Sequence, residues 1–445
     1  MITNNVVSTK NKLGFWMCTS LVVGNMIGSG IFLLPASLAK YGGISIVGWL
    51  VTSTGSVLLA LVFAKLSRLI PKTGGPYIYS RIAFGEFAGF LVAWGYWLSI
   101  VAANAAIAVA FVSYLTIFWP ILAHSNILAA VVALGSIWFL TYINSLGVRN
   151  AGIVQLITTL LKIVPLFGIA IFGIFYLDIN NFIPFNLSDQ SSVSAITATV
   201  ALTLWAFLGL ESGTVPADNV IEPERTIPRA TVLGTVFTAL IYILGTVSVM
   251  GIISPANLAH STAPFADAAT KIFDSWAGYI VGIGAIISCF GALNGWILLQ
   301  GQIPLAASID GIFPKFLGKL SPKGTPTNAL VFSSIFITFL MIMNFTKGLV
   351  ELFTFVILLA TLTCLVPYVF TAMAELMIFI KDREKFSGQK LMGSSIIAIF
   401  AFIYSIWAII GSGQETVYWG FVLLMCGIPI YVWIKWRQPA TNGPN

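Results

Sequence analysis

The chain has 445 residues, of which 58% are hydrophobic and 8% charged, with a formal net charge of +7. Mean hydropathy is +0.96, and apolar stretches of about 20 residues recur throughout, which excludes a soluble protein of this size and leaves the polytopic α-helical class. The positive excess does not point to nucleic acid. Twelve spans with both ends inside place eighteen of the 22 Lys and Arg on the cytoplasmic side, leaving Lys40, Lys271 and Lys347 outside and Lys162 within a span; this asymmetry fixes the orientation.

Residues 1–11 are expected to form a cytoplasmic tail, and span 1 covers roughly 13–37. Lys10 and Lys12 before an apolar run, with Ala36-Ser37-Leu38-Ala39 after it, imitate a signal peptide, but the run is too long and too broken, so a retained first helix is expected. Spans 2 to 5 follow at 44–68, 84–118, 126–145 and 152–177, and the polar outer segment 178–192 closes a first five-helix repeat, 12–177. Span 6 is expected at 193–217, before the charged loop from Ala217 to Arg229, and spans 7 to 10 at 230–252, 275–303, 328–345 and 349–377. These make a second, inverted five-helix repeat, 193–377; spans 11 and 12 fill 394–437, and 438–445 is a second cytoplasmic tail. The predicted class is an all-α polytopic membrane protein with 12 transmembrane helices. It is built as a 5+5 inverted repeat with broken helices 1 and 6, plus two extra helices.

The interruptions carry the functional argument. Span 1 contains Gly24-Asn25-Met26-Ile27-Gly28-Ser29-Gly30-Ile31-Phe32-Leu33-Leu34-Pro35, three glycines and a proline inside an apolar run. Each interior glycine costs about 1 kcal/mol relative to alanine, and in lipid every backbone group freed by a break needs a partner within the protein. The break therefore faces a protein-lined cavity. Span 6 repeats the pattern in Leu202-Thr203-Leu204-Trp205-Ala206-Phe207-Leu208-Gly209-Leu210-Glu211-Ser212-Gly213. Broken spans at corresponding places in two halves point to a transporter's binding site. Close helix packing by small residues is the competing explanation; it is preferred for Gly278 with Gly282 and Gly291 with Gly295, and an unwound ligand segment for Gly28-Ser29-Gly30. No GK[ST] follows, which excludes a phosphate loop.

Freed N–H groups around Ser29 and Gly30, at the start of the next half-helix, favour a carboxylate. Freed carbonyls at Phe207-Leu208-Gly209 suit an ammonium, so the pair reads an α-amino acid. Tyr96, Trp97, Trp205 and Trp296 fall inside spans rather than at the interfaces where tryptophan collects, and a tryptophan face attracts a cation by about 0.5–2 kcal/mol; lipid or packing contact is the alternative for each ring. Glu211 and Lys162 are the two ionisable residues deep in spans, and an intramembrane charge is a functional candidate. A structural pair or a hydrogen-bonded neutral acid is the alternative for Glu211; Lys162 is expected to satisfy backbone or a partner. Glu351 and Glu375, near the ends of span 10, are expected to be wetted. The four cysteines lie in apolar runs without CxxC spacing, so neither disulfide nor metal is expected, only packing. There is no HExxH, nucleophile elbow or Walker motif, and His124 and His260 map to outer loops, so neither an enzyme nor a cofactor is expected.

These two broken segments, with Glu222-Pro223-Glu224-Arg225-Thr226-Ile227-Pro228, resemble the amino acid-polyamine-organocation (APC) superfamily over nearly the whole chain. Within it the chain is most similar to the bacterial basic amino acid/polyamine antiporters. The arginine/agmatine branch is nearest, partly through Ile406-Trp407-Ala408-Ile409-Ile410-Gly411-Ser412-Gly413, while Thr262-Ala263-Pro264-Phe265 and Leu204 to Ser212 are similar to the ornithine/putrescine branch. The resemblance implies that Ser29 and Gly30 hold the substrate carboxylate and carbonyls near Trp205 and Leu208 its ammonium. It implies that Trp296 stacks on the guanidinium beside Asn104, that Trp205 covers the other face, and that Asn25, Ile27 and Ser99 belong to the pocket. Tyr96, Glu211 and Tyr368 would form an outer gate and Tyr77 an inner one. Span 10 departs from the arginine/agmatine pattern: a serine of that branch aligns with Ala360, with Thr361 next to it.

The function so implied is exchange, by alternating access in the cell inner membrane, of an external cationic amino acid for its internal decarboxylated amine, with arginine and agmatine favoured. Ornithine/putrescine exchange, lysine/cadaverine exchange and proton-coupled uptake using Glu211 or Lys162 are the alternatives, and a sensor or channel on the same fold is a different class. Implied partners are membrane lipid, a functional link to a cytosolic amino acid decarboxylase that would serve acid resistance, and a homodimer that Gly-rich faces permit; nucleic acid is not among them.

Overall fold

The computed structural model describes residues 12–261, 263–343, 349–381, 391–412 and 414–437. The predicted tails 1–11 and 438–445, together with Thr262, Lys347, Arg383, Lys385, Lys390 and Gly413, lie outside the described residues, as does the side chain of Glu351. Phe15–Met26 (α1) and Ser29–Ala39 (α2) are the halves of the first span. Ile44–Leu69 (α3), Pro76–Phe84 (α4), Glu86–Leu115 (α5), Ile121–His124 (α6), Asn126–Ser145 (α7) and Val148–Phe172 (α8) complete the first set. Ser192–Phe207 (α9) opens the second, followed by Pro223–Ile252 (α10), Pro255–Leu258 (α11), Pro264–Phe273 (α12), Ser275–Ile309 (α13), Thr327–Met343 (α14) and Leu349–Lys381 (α15). Leu391–Gly411 (α16), Gln414–Met425 (α17) and Gly427–Trp436 (α18) end the described chain, α17 and α18 being one span bent at Cys426. Among the described residues ten spans are long and apolar enough to cross a bilayer, and α14 and α16 supply two shorter apolar helices.

The span boundaries fall close to those expected, with additions in the connections. Residues 76–84, expected as part of an inner loop, form α4: Pro76 opens it where a helix needs no N–H partner, and Gly85 at φ +92° turns the chain into α5. The connection between α10 and α13 contains α12, whose Phe265, Ala268 and Ala269 are buried. The first span, α5 and α13 are mostly buried, whereas α7 and the α17–α18 span present most of their surface outward. Central contacts run from α15 to α5, from α10 to α3, and from α13 to both α5 and α8. Cys18, Cys289 and Cys364 are buried free thiols as expected of packing residues; Cys426 is exposed at the bend, which corrects the expectation for it.

One end of the bundle gathers Lys65, Arg68, Lys72, Arg81, Arg225 and Lys435, and polar contacts close it. Tyr77 on α4 donates to Asp310 Oδ2 at 2.6 Å, and Arg81 pairs with Asp310 at 3.0 Å. Burial, then the Asp310 carboxylate, raise the Tyr77 phenol above its ordinary range, so it remains a donor. Lys435 pairs with Glu86 at 2.7 Å, and Leu13 exchanges backbone hydrogen bonds with Asn219 (2.7 Å) and Ile221 (2.9 Å). Lys65 pairs with Glu375 at 2.5 Å. Glu375 is therefore buried and paired rather than wetted, because α15 packs this stretch against α3.

Candidate functional site

The first helix stops at Met26 because Ile27 (φ −76°, ψ 87°) and Gly28 (φ −123°, ψ −135°) leave the helical region. A helix end strips its last carbonyls of intrahelical donors, and three other helices replace them. Lys162 on α8 donates Nζ to the Gly24 carbonyl at 2.6 Å and also to that of Ile27. On α13, Trp296 Nε1 donates to the Asn25 carbonyl at 3.2 Å and Ser288 to that of Ile27 at 3.1 Å. The Tyr242 hydroxyl on α10 lies 2.5 Å from the Met26 carbonyl and 2.9 Å from that of Ala206, spanning both broken helices. A Cβ at Gly295 would stand 1.8 Å from Asn25 Oδ1, so that glycine is what lets α13 touch the break.

Where the chain resumes as α2, no side chain caps the first turn. The Ser29 hydroxyl is buried and bonds to no described residue. Both features leave donors facing whatever occupies the space beside them.

The second break is made locally. Leu208 is extended (φ −61°, ψ 134°) and Gly209 takes φ +103° with the site of its missing Cβ 2.9 Å from Asn25 Cβ, a conformation and an approach that only glycine suits. Turn bonds from Leu210 N to Phe207 O (3.3 Å) and from Ser212 N to Gly209 O (3.0 Å) carry the chain onward. The Trp205 carbonyl accepts from Leu208 N at 3.3 Å, while no described residue donates to the Leu208 carbonyl. Asn25 Nδ2 donates to Ser212 Oγ at 2.8 Å and ties the two breaks together.

Between the breaks lies a cavity of about 20 Å³ bordered by Asn25, Ser29, Gly30, Ile107, Trp205, Leu208 and Trp296. A second cavity of about 240 Å³ runs from the other side of Trp205, past Leu33, Leu202 and Thr361, to the exposed Lys40. Trp205 and Gly30 border both.

Of the residues singled out from sequence, Asn25, Ser29, Gly30, Trp205, Leu208 and Trp296 converge on the small cavity, and Thr361, not Ala360, faces the larger one. Ile27 offers its carbonyl to Lys162 and Ser288 instead of to the cavity. Ser99 donates to the Ala360 carbonyl at 2.9 Å and joins α5 to α15; Asn104 Nδ2 donates to Gln300 Oε1 at 2.7 Å. Neither lines either of these two cavities. Trp97 donates to Ser333 at 2.8 Å and stacks near Phe332, so its ring serves packing.

Tyr96 and Tyr368 both donate to the buried Glu211 carboxyl group, Tyr368 at 2.5 Å. Glu211 follows the second break on the stretch that leads to the cation-rich end. Tyr96, Glu211 and Tyr368, expected as an outer gate, are thus joined in one cluster that lies from the second break toward the cation-rich end. The sequence does not signal Tyr242, Ser288 or Asp310, since isolated hydroxyls and a loop carboxylate have no pattern to stand out from.

Two broken spans that present opposite backbone dipoles to one small cavity form the arrangement found at the binding sites of secondary transporters. Comparison with known proteins agrees. Residues 13–434 match the amino acid permease family. The putrescine transporter PotE of Haemophilus influenzae (strain Rd) is 34% identical over 432 residues, 96% of this chain and 98% of that protein. PotE of Escherichia coli K12 is 33% identical over 433 residues, 97% and 98% of the two chains; the cadaverine/lysine antiporter of E. coli K12 is 32% identical over 436, 96% and 95%. The chain belongs to the amino acid permease family of the APC superfamily, among its basic amino acid/polyamine antiporters, and is a multi-pass membrane transporter rather than an enzyme.

Proposed function

We propose that the protein exchanges an external cationic amino acid for its internal decarboxylated diamine by alternating access, with ornithine and putrescine as the leading pair. The observation that carries this reading is the facing of two helix ends across the small cavity: uncapped N–H groups with the orphan Ser29 hydroxyl on one side, the open Leu208 carbonyl on the other. The first set suits a carboxylate and the second an ammonium. Trp205 and Trp296 supply ring surface for the distal cation, which both substrates share. Similarity to a putrescine transporter and a cadaverine/lysine antiporter favours linear amines over the guanidinium expected from sequence, and Ala360 offers that group no hydroxyl.

The positive-inside asymmetry of the sequence supports a cytoplasmic cation-rich end and cytoplasmic termini, an orientation in which the 240 Å³ cavity opens outward. Decarboxylation consumes one internal proton per turnover, and exchange of a singly charged amino acid for a doubly charged diamine exports one positive charge. Paired with a cytosolic decarboxylase, the cycle raises internal pH.

The test is uptake of labelled ornithine, lysine and arginine into proteoliposomes loaded with nothing, putrescine, cadaverine or agmatine. Ornithine uptake that requires internal putrescine is expected; fastest exchange with agmatine would return the arginine pair, and equal uptake into empty vesicles would replace exchange with proton-coupled uptake. Trp296→Leu is expected to depress exchange of both members of the pair, and near-normal rates would remove the ring from the distal-cation site.

A further inference from the structure

The larger cavity has apolar walls from Leu33, Leu34, Ala198, Ala201 and Leu202, and its polar lining is confined to a few hydroxyls and one charge. That charge is Lys40, at the exposed end; among the described lining residues there is no carboxylate. Its Nζ lies 5.1 Å from the Tyr41 ring centroid, and Tyr41 is itself held in place by Leu187 N donating to its carbonyl at 3.0 Å. The ammonium is thereby stationed at the mouth of a path meant for cations. An entrance that only had to admit cations would carry the opposite sign.

We propose that Lys40 is a specificity-determining residue that sorts the two substrates at the outer mouth, admitting the amino acid and turning back the diamine. The inference rests on the exchange reading above. A diamine approaches with two positive charges and nothing to offset them; the amino acid carries the same two and a carboxylate that Lys40 attracts. The net charges differ by one unit, so repulsion falls harder on the diamine. Diamine just released outside is then a poor competitor for the next amino acid, and the vestibule favours one order of exchange without any change in the driving force.

The experiment measures external KM for ornithine and for putrescine in proteoliposomes of one orientation with fixed internal substrate, for the wild type, Lys40→Arg, Lys40→Met and Lys40→Glu. At roughly 10 Å in water, one unit charge changes occupancy by about twofold at low salt. The ratio of putrescine KM to ornithine KM is therefore expected to hold in Lys40→Arg, fall about twofold in Lys40→Met and about fourfold in Lys40→Glu. Raising ionic strength to about 1 M, where the screening length is about 3 Å, should erase these differences. Substrate KM values measured from the other side should not move. A ratio that ignores the charge at this position, an equal shift for both substrates, or a shift that survives high salt would overturn the proposal. Wild-type vesicles that exchange neither substrate would instead defeat the exchange reading on which it stands.

Discussion

The two breaks solve the same problem in opposite ways. At the first, every carbonyl from Gly24 to Ile27 finds a side-chain donor from another helix: Lys162, Trp296, Tyr242, or Lys162 with Ser288. At the second, Tyr242 reaches the Ala206 carbonyl as well, but beyond that the chain relies on its own turns and on Gly209 and leaves the Leu208 carbonyl open. Side chains behind α1 anchor the donor end of the site as a fixture. The acceptor end depends on backbone conformation, which is the more adjustable arrangement and sits directly before Glu211 and its two tyrosines.

The hardest blow to the comparison is at the second break. Gly209→Val puts a branched side chain at φ +103° against Asn25; left-handed strain of about 1–2 kcal/mol and overpacking of about 1–3 kcal/mol should add. Thermal unfolding in detergent should show a large loss of stability, and exchange should vanish; a wild-type melting temperature would mean that the turn does not need its glycine. Next comes Lys162→Met, which leaves the Gly24 carbonyl without its side-chain donor, at about 1–3 kcal/mol for a buried unsatisfied group, and the Ile27 carbonyl with Ser288 alone. Tyr242→Phe removes one hydroxyl between two carbonyls and should cost less, about 1–2 kcal/mol. Chemical denaturation that ranks these two the other way round would move the anchor of the first break from α8 to α10.

How much of this was legible depended on whether a residue departs from its surroundings. Gly28-Ser29-Gly30, Gly209 and Lys162 are conspicuous in apolar spans, and all of them sit at the breaks. Trp205 and Trp296 also stand where their interior positions suggest, although Trp97, equally interior, only packs. Ser99 and Asn104 enter the expected pocket only through the family resemblance, and the bonds they make, to Ala360 and Gln300, are not ones that the sequence signals. Tyr242 was out of reach, since a tyrosine in an apolar span gives no sign of which carbonyls its hydroxyl will meet. The side of the site on which Glu211 lies could be read only by following the chain past the break, not from the motif around it.

The smallest expected effect bears most directly on function. Ser29 opens α2 with a hydroxyl that bonds to no described residue, so Ser29→Ala should change stability by no more than about 0.5 kcal/mol. If that hydroxyl is reserved for a carboxylate, its loss removes a hydrogen bond to a charged group, worth about 1.5–3 kcal/mol, from the bound amino acid and nothing from the diamine. External KM for ornithine should then rise by about 10- to 100-fold while that for putrescine stays put, the thermal midpoint being unchanged. Equal increases for both substrates would assign the hydroxyl to the amine they share and leave the uncapped N–H groups of α2 as the carboxylate's sole recognition.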